Sequence, residues 1–310
     1  MTATKTEEAT TGAPPHAAPP PLLRAADRIV LASLAGYTLL ALLFHGKVEG
    51  WGALVAQNVA LAVAVVASAA WMRRISAPVP RFLLRTATIT GAIGYLFEAV
   101  APLQLVFHGR WFDEAVLALE DRVFGVQPTL WLERWTTPWL TEWLMFSYLA
   151  YLPLYPTICA VIRTKRGEAA LEGCFVTLAL THTVCNFGFL VYPVASPLWH
   201  MADAYTVPLD GWVFTDLGEA LRKHLLYEGG SLPSPHTAAA TTMWAMAWKH
   251  HRRTAWIVAP VIVSLWFSTF YCRYHYVTDA VVGVAASLGV VAVTPWLMRS
   301  WARRGQATAA

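Results

Sequence analysis

Charge is what this sequence lacks most. Of its 310 residues, 14% are Asp, Glu, Lys or Arg and 56% are hydrophobic, where soluble globular domains carry about 25% charged residues. So few charges exclude a soluble domain. Cysteine is scarce too: Cys159, Cys174, Cys185 and Cys272 are the only four, and each lies in an apolar run. That placement excludes a disulfide framework of aqueous loops and predicts small buried core residues. No Cys and His spacing resembles a zinc site, and no cofactor is expected. A net charge of +4 gives no reason to expect nucleic acid as a partner. Residues 1–21 lack the apolar stretch of a signal peptide, and their Ala, Thr and Pro content predicts a disordered tail. No internal repeat suggests a transporter built from two related halves.

What is abundant is long apolar runs, at about Asp27 to His45, Trp51 to Trp71, Phe82 to Phe107, Pro138 to Ile162, Ala169 to Pro193, Ser234 to Trp248, Thr254 to Arg273 and Tyr276 to Leu297. At about 20 residues per crossing these predict an all-α polytopic membrane helical bundle of about eight spans. Fifteen Trp fit the aromatic enrichment of membrane boundaries. Arg24, Arg28, Arg73, Arg74, Arg81, Arg85, Arg163, Lys165, Arg166, Lys249, Arg252, Arg253, Arg299, Arg303 and Arg304 all fall at one face of such a bundle. Because basic residues are retained in the cytoplasm, this predicts a multi-pass protein of the cell membrane with both termini cytoplasmic. The membrane domain spans residues 22–298, and residues 299–310 read as a second cytoplasmic tail. Between the third and fourth spans, Arg110 to Trp135 is too charged to cross. Its Phe112, Val116, Leu117, Leu119 and Val123 recur at near-helical spacing, which predicts an amphipathic helix on the outer interface.

Ionisable residues in apolar surroundings are costly, and two groups stand out. The first is "GGSLPSPH" from Gly229 to His236, leading into an apolar run. Ser234 suits an N-cap and Pro235 the first helical position, which puts His236 in a first turn whose free N–H groups attract anions. Read alone, the same segment also suits an ordinary loop and helix start. The second is "RYHYVTD" from Arg273 to Asp279. His275 and Asp279 are four apart, a spacing at which a carboxylate can hold one imidazole nitrogen and leave the other as nucleophile or base. Arg273 adds a guanidinium suited to phosphate. A structural pair closing a tight turn is the competing reading. In the topology drawn from charge, both groups reach the outer boundary. Two histidines there, with an Asp and an Arg, make a phosphoryl-transfer site.

"GGSLPSPHTAAATTMW" followed by "STFYCRYHYVTDAVVG" resembles the second and third motifs of the type 2 phosphatidic acid phosphatase superfamily, and particularly its inositol phosphorylceramide synthase-like branch. "ALEDRVFGVQPTLWLERW", "MFSYLAYLPLYP" and "VYPVASP" also resemble segments of that branch, so the likeness covers roughly residues 80–300, with a phosphatase-like core at about 135–298. The resemblance implies that His275 is the nucleophile forming a phosphohistidine, that Asp279 orients it, and that His236 is the general acid. It also implies phosphate binding by Ser234, by Gly230 and Ser231 beside it, and by Arg273, with no metal. The substrate would be a lipid phosphate or phospholipid, processed at the outer face. The chain departs from the family pattern in four places. The first motif's Lys and Arg-Pro have no clear counterpart, Thr269 stands where an Arg commonly precedes the third-motif His, Leu198 stands where the branch often has Arg, and Pro235 replaces a Gly. Proline donates no amide hydrogen bond, so phosphate donors are fewer, and Arg222, Lys223 or Arg110 are candidate replacements.

Water as acceptor makes such a protein a lipid phosphatase, and a lipid or polyol hydroxyl makes it a headgroup transferase. A catalytically silent descendant that binds a lipid anion is the alternative of another class. A transporter or channel is a third, with Glu98 and Glu142 as pathway residues, although most spans carry no polar stripe.

Overall fold

The computed structural model describes residues 21–225 and 227–307. The tail predicted for residues 1–21 lies outside them, apart from Pro21. All regular structure among the described residues is helical: α1 (Ala25–Leu43), α2 (Trp51–Met72), α3 (Pro78–Val100), α4 (Asp113–Phe124), α5 (Pro128–Trp131), α6 (Pro138–Leu149), α7 (Tyr151–Val191), α8 (Pro197–His200), α9 (Val213–Leu225), α10 (Pro235–His250), α11 (Arg252–Tyr271) and α12 (Val277–Ala307). The chain is a polytopic helical bundle of the membrane type, in which α1, α2, α7, α11 and α12 are long and apolar enough to cross a bilayer. The remaining predicted crossings fall on α3, on the 16-residue α10, and on α6 continued by the first part of α7.

The 41 residues of α7 are two arms that meet at Gly167, whose φ of 81° and ψ of −176° are not helical. Glycine enters that region without the Cβ clash other residues suffer. Beside the turn, Arg163 donates to the Pro78 carbonyl and Arg166 to that of His250. The start of α3 and the end of α10 therefore lie at the same end of the bundle as this turn. Arg85 ties three helices together there. It pairs with Asp27 of α1 and, at 2.9 Å, with Glu172 of α7, and the side chains of Arg85 and Asp27 are buried.

At the centre, α10 packs against α7, α11 and α12. Ala238, Ala239 and Ala240 are fully buried, and such small side chains let backbones approach closely. Ile158, Ile162, Phe175, Leu178, Met243, Ile262 and Leu265 fill the core around them. All four cysteines are buried free thiols, as their apolar setting predicts.

The segment from Arg299, expected as a tail beyond the membrane domain, continues α12 as helix to Ala307, as good helix formers such as Ala and Arg favour. Helix α4 forms where it is predicted, but its inward face carries Asp113, Val116 and Glu120, while Leu119 and Val123 point outward. Its acids turn inward because backbone amides of other elements await them there, as described below.

Candidate active site

Both motif loops reach the end of the bundle opposite the Gly167 turn. Helix α10 begins at Pro235, and the Ser234 hydroxyl caps it by accepting from the Thr237 amide. The Ser234 amide donates to the Asp279 carbonyl at 3.0 Å, which docks the loop on the start of α12. Gly283 permits that contact, since a Cβ there would overlap the Ser234 carbonyl and the Thr237 hydroxyl. Gly229 and Gly230 both take positive φ, and their amides donate to the Ala195 carbonyl and to Gln104 Oε1.

The second loop turns at Arg273, whose φ of 68° is unusual for a residue with a side chain. The turn brings the His275 amide back to the Thr269 carbonyl at 3.0 Å. Arg273 is held by Glu133 at 3.0 Å, by the Val207 carbonyl, and by stacking over the Tyr205 ring at 4.1 Å. Tyr205 is itself mostly buried, and burial pushes its phenol up to about 12. The guanidinium expected to bind phosphate therefore anchors the strained turn that aims His275.

His236 and His275 do meet. His275 Nε2 lies 3.4 Å from His236 Nδ1, with ring centroids 5.6 Å apart. Asp279 lies four residues on, but α12 starts only at Val277, so the shared helix face read from the spacing does not form. Instead Asp279 Oδ2 accepts from the Tyr276 amide and from the Ser231 hydroxyl at 2.5 Å, and its distance to His275 Nδ1 is 3.7 Å. Ser231 bridges the two: its hydroxyl and its carbonyl oxygen each lie 3.2 Å from Nδ1. Because a carbonyl oxygen only accepts, Nδ1 of a neutral His275 carries the hydrogen and Nε2 keeps its lone pair. That lone pair faces His236 Nδ1, which then has to be the donor. One ring thus presents a nucleophile and the other a proton.

Two spaces adjoin the pair. A cavity of about 640 Å³ runs between α3, α6, α7, α9 and α10 with mainly apolar walls, and His236 and Arg222 are among its polar lining. A pocket of about 20 Å³ has Ser196, Gly230 and His275 in its lining. Phe97, Tyr148, His236 and Tyr274 stand in the walls of both and divide them.

Of the expected phosphate ligands, Ser234, Gly230, Ser231 and Arg273 are all engaged within the protein as described. Arg222 is paired with Glu219 at 2.6 Å and also lines the large cavity, whereas Lys223 is exposed. The His236 amide has no hydrogen-bond partner among the described residues and sits in the first turn of α10. Glu142, considered above as a pathway residue, accepts from the Trp212, Phe214 and Thr215 amides and so caps the start of α9.

Several site residues escape motif reading. Gln104 holds the Gly230 amide. Asp113 accepts from the Ala195 and Ser196 amides and from the Tyr276 hydroxyl. Glu120 accepts from the amide and hydroxyl of Thr278, next to Asp279, and burial pushes its carboxyl up. Tyr148, Tyr151 and Tyr155 form a stripe of polar tips in an apolar run, and that stripe is the one legible signal among them. Among the described residues no group of three or more His, Cys, Asp or Glu could hold a metal ion.

Compared with known proteins, residues 114–293 match the family model described as the PAP2 superfamily, a stretch that runs from α4 into α12 and includes both histidines and Asp279. No curated protein and no solved structure matches the chain.

Proposed function

Because this chain belongs to the PAP2 superfamily, we propose that it is an integral membrane phosphatase or phosphotransferase that cleaves a lipid phosphate ester through a phosphohistidine on His275. The observation that carries this reading is the 3.4 Å approach of His275 Nε2 to His236 Nδ1, with hydrogen bonding that leaves a lone pair on the first and a proton on the second. The incoming phosphoryl group displaces that contact. Nε2 attacks phosphorus, the bond to the lipid oxygen breaks, and His236 Nδ1 gives its proton to the departing alcohol. In the second step an acceptor hydroxyl loses its proton to His236 as its oxygen attacks phosphorus, and the phosphorus–nitrogen bond breaks. Water as acceptor gives phosphate, and a lipid or polyol hydroxyl gives headgroup transfer.

The large cavity supports a lipid leaving group. It lies on the side of His236, where the departing oxygen has to be, and its volume and apolar walls suit a hydrocarbon chain. The unpartnered His236 amide, the N-terminus of α10 and Arg222 supply charge for the phosphate. With the basic clusters cytoplasmic, the site opens at the outer face of the cell membrane.

Purified protein quenched without acid after exposure to a panel of lipid phosphates should carry phosphate on His275. Label on His236 instead would reverse the roles. Phosphate release identifies hydrolysis, and headgroup exchange without release identifies transfer. The engaged state of four expected phosphate ligands favours one other reading, a silent lipid-binding protein. In that case His275→Ala would leave cellular function intact.

A further inference from the structure

Tyr148, at the end of α6, touches His236 on the side away from His275. Its hydroxyl lies 3.0 Å from His236 Nε2, the two rings are tilted at 30° with centroids 4.6 Å apart, and Tyr274 stacks on Tyr148 at 4.6 Å and 27°. Among the described residues the Tyr148 hydroxyl has no other hydrogen-bond partner. The direction of this bond follows from the far end of the chain. The Ser231 carbonyl requires a hydrogen on His275 Nδ1, so His275 Nε2 is bare and His236 Nδ1 donates to it. A neutral His236 then has a bare Nε2, and the Tyr148 hydroxyl donates into it. The reverse tautomer would set lone pair against lone pair between the two imidazoles and leave the phenol hydrogen without an acceptor.

We propose that Tyr148 is a positioning residue that holds the His236 proton on Nδ1, the nitrogen turned toward the reacting centre. Its catalytic consequence rests on the phosphohistidine reading, while the tautomer itself does not. Without the hydroxyl the proton shifts in part to Nε2, which points away from the leaving oxygen. The loss then depends on how much the leaving group needs a proton.

Tyr148→Phe keeps the ring that stacks on Tyr274 and His236, so the fold is expected to survive, and a melting curve checks it. With an alkyl phosphate ester, kcat should fall up to about 10-fold with little change in KM, the tautomer shift that loss of one hydrogen bond allows. With p-nitrophenyl phosphate, whose leaving group departs without a proton, the fall should be far smaller, and His236→Gln should show the same contrast. Equal losses on both esters would make Tyr148 a packing residue and overturn the proposal. Nitrogen NMR of the histidine rings decides the tautomer independently of turnover, with His236→Gln identifying the signal. Wild-type protein should show Nδ1–H at His236, and Tyr148→Phe a shift toward Nε2–H. Nε2–H in the wild type would sink the proposal even if the enzyme is active. Conversely, Nδ1–H in a protein without phosphoryl transfer would leave the Tyr148 assignment standing and remove the phosphohistidine reading.

Discussion

At the scale of single residues, Ser231 separates two roles that look alike in sequence. Its hydroxyl lies 2.5 Å from Asp279 Oδ2 and 3.2 Å from His275 Nδ1, so it links the carboxylate to the imidazole across a gap of 3.7 Å. Ser231→Ala should lower kcat about 10-fold, or ~1.4 kcal/mol of transition-state stabilisation, and leave KM near wild type. A raised KM at constant kcat would return Ser231 to the phosphate-binding role that resemblance implied. Loss of the hydroxyl leaves the Ser231 carbonyl in place, so the tautomer of His275 persists and the effect stays below that of removing the imidazole. Arg273 carries contacts of the same hidden kind: its guanidinium pairs with Glu133 and stacks over Tyr205, neither of which its place two residues before His275 reveals.

At the scale of elements, α4 is a buttress under the two histidine-bearing loops. Asp113 holds the strained Ser196 by its amide and fixes Tyr276, and Glu120 caps the start of α12 one residue before Asp279. Burial raises the Glu120 carboxyl above its usual range, against the lowering effect of its Thr278 bonds. A raised carboxyl favours folding at low pH, and that contribution is lost as pH climbs through the raised value. Glu120→Gln keeps an acceptor for Thr278 without the charge. Its melting temperature relative to wild type should therefore rise as pH climbs from the ordinary Glu range of about 4.3 through the raised value. Parallel melting curves in detergent check this, and a constant difference would show that Glu120 is ionised throughout. The apolar period of α4 was legible in the sequence, but which face packs inward was not. A hydrophobic stripe orients a helix against bulk lipid or a core, whereas here unpaired amides of a distant loop make the acidic face the better partner.

At the scale of the whole molecule, the buried cluster of Arg85 with Asp27 and Glu172 joins α1, α3 and α7 at the end remote from the histidines. Arg85→Ala leaves Asp27 buried without its cation, while Glu172 keeps Arg24 at 3.7 Å, and should destabilise the protein by about 3–5 kcal/mol in detergent unfolding. The topology has its own test. The native cysteines are buried, so single cysteines at exposed positions report sidedness. An impermeant thiol reagent on intact cells should modify Asp210→Cys and spare Thr164→Cys, and the opposite pattern would invert the protein in the membrane. Much of this architecture was open to sequence reading. Apolar run length, basic clusters and the two histidine motifs follow from the cost of exposing peptide groups and charges to lipid, which any membrane chain meets locally, segment by segment. The N-cap at Ser234 is local in the same way. Only the tertiary structure decided which donors were spent. Ser231, Ser234, Gly230 and Arg273 are hydrogen-bonding groups of the expected kinds, yet they meet Asp279, Gln104 and Glu133, each distant in the chain. A buried polar group takes whichever partner the packed fold brings within reach, and sequence spacing does not encode that competition.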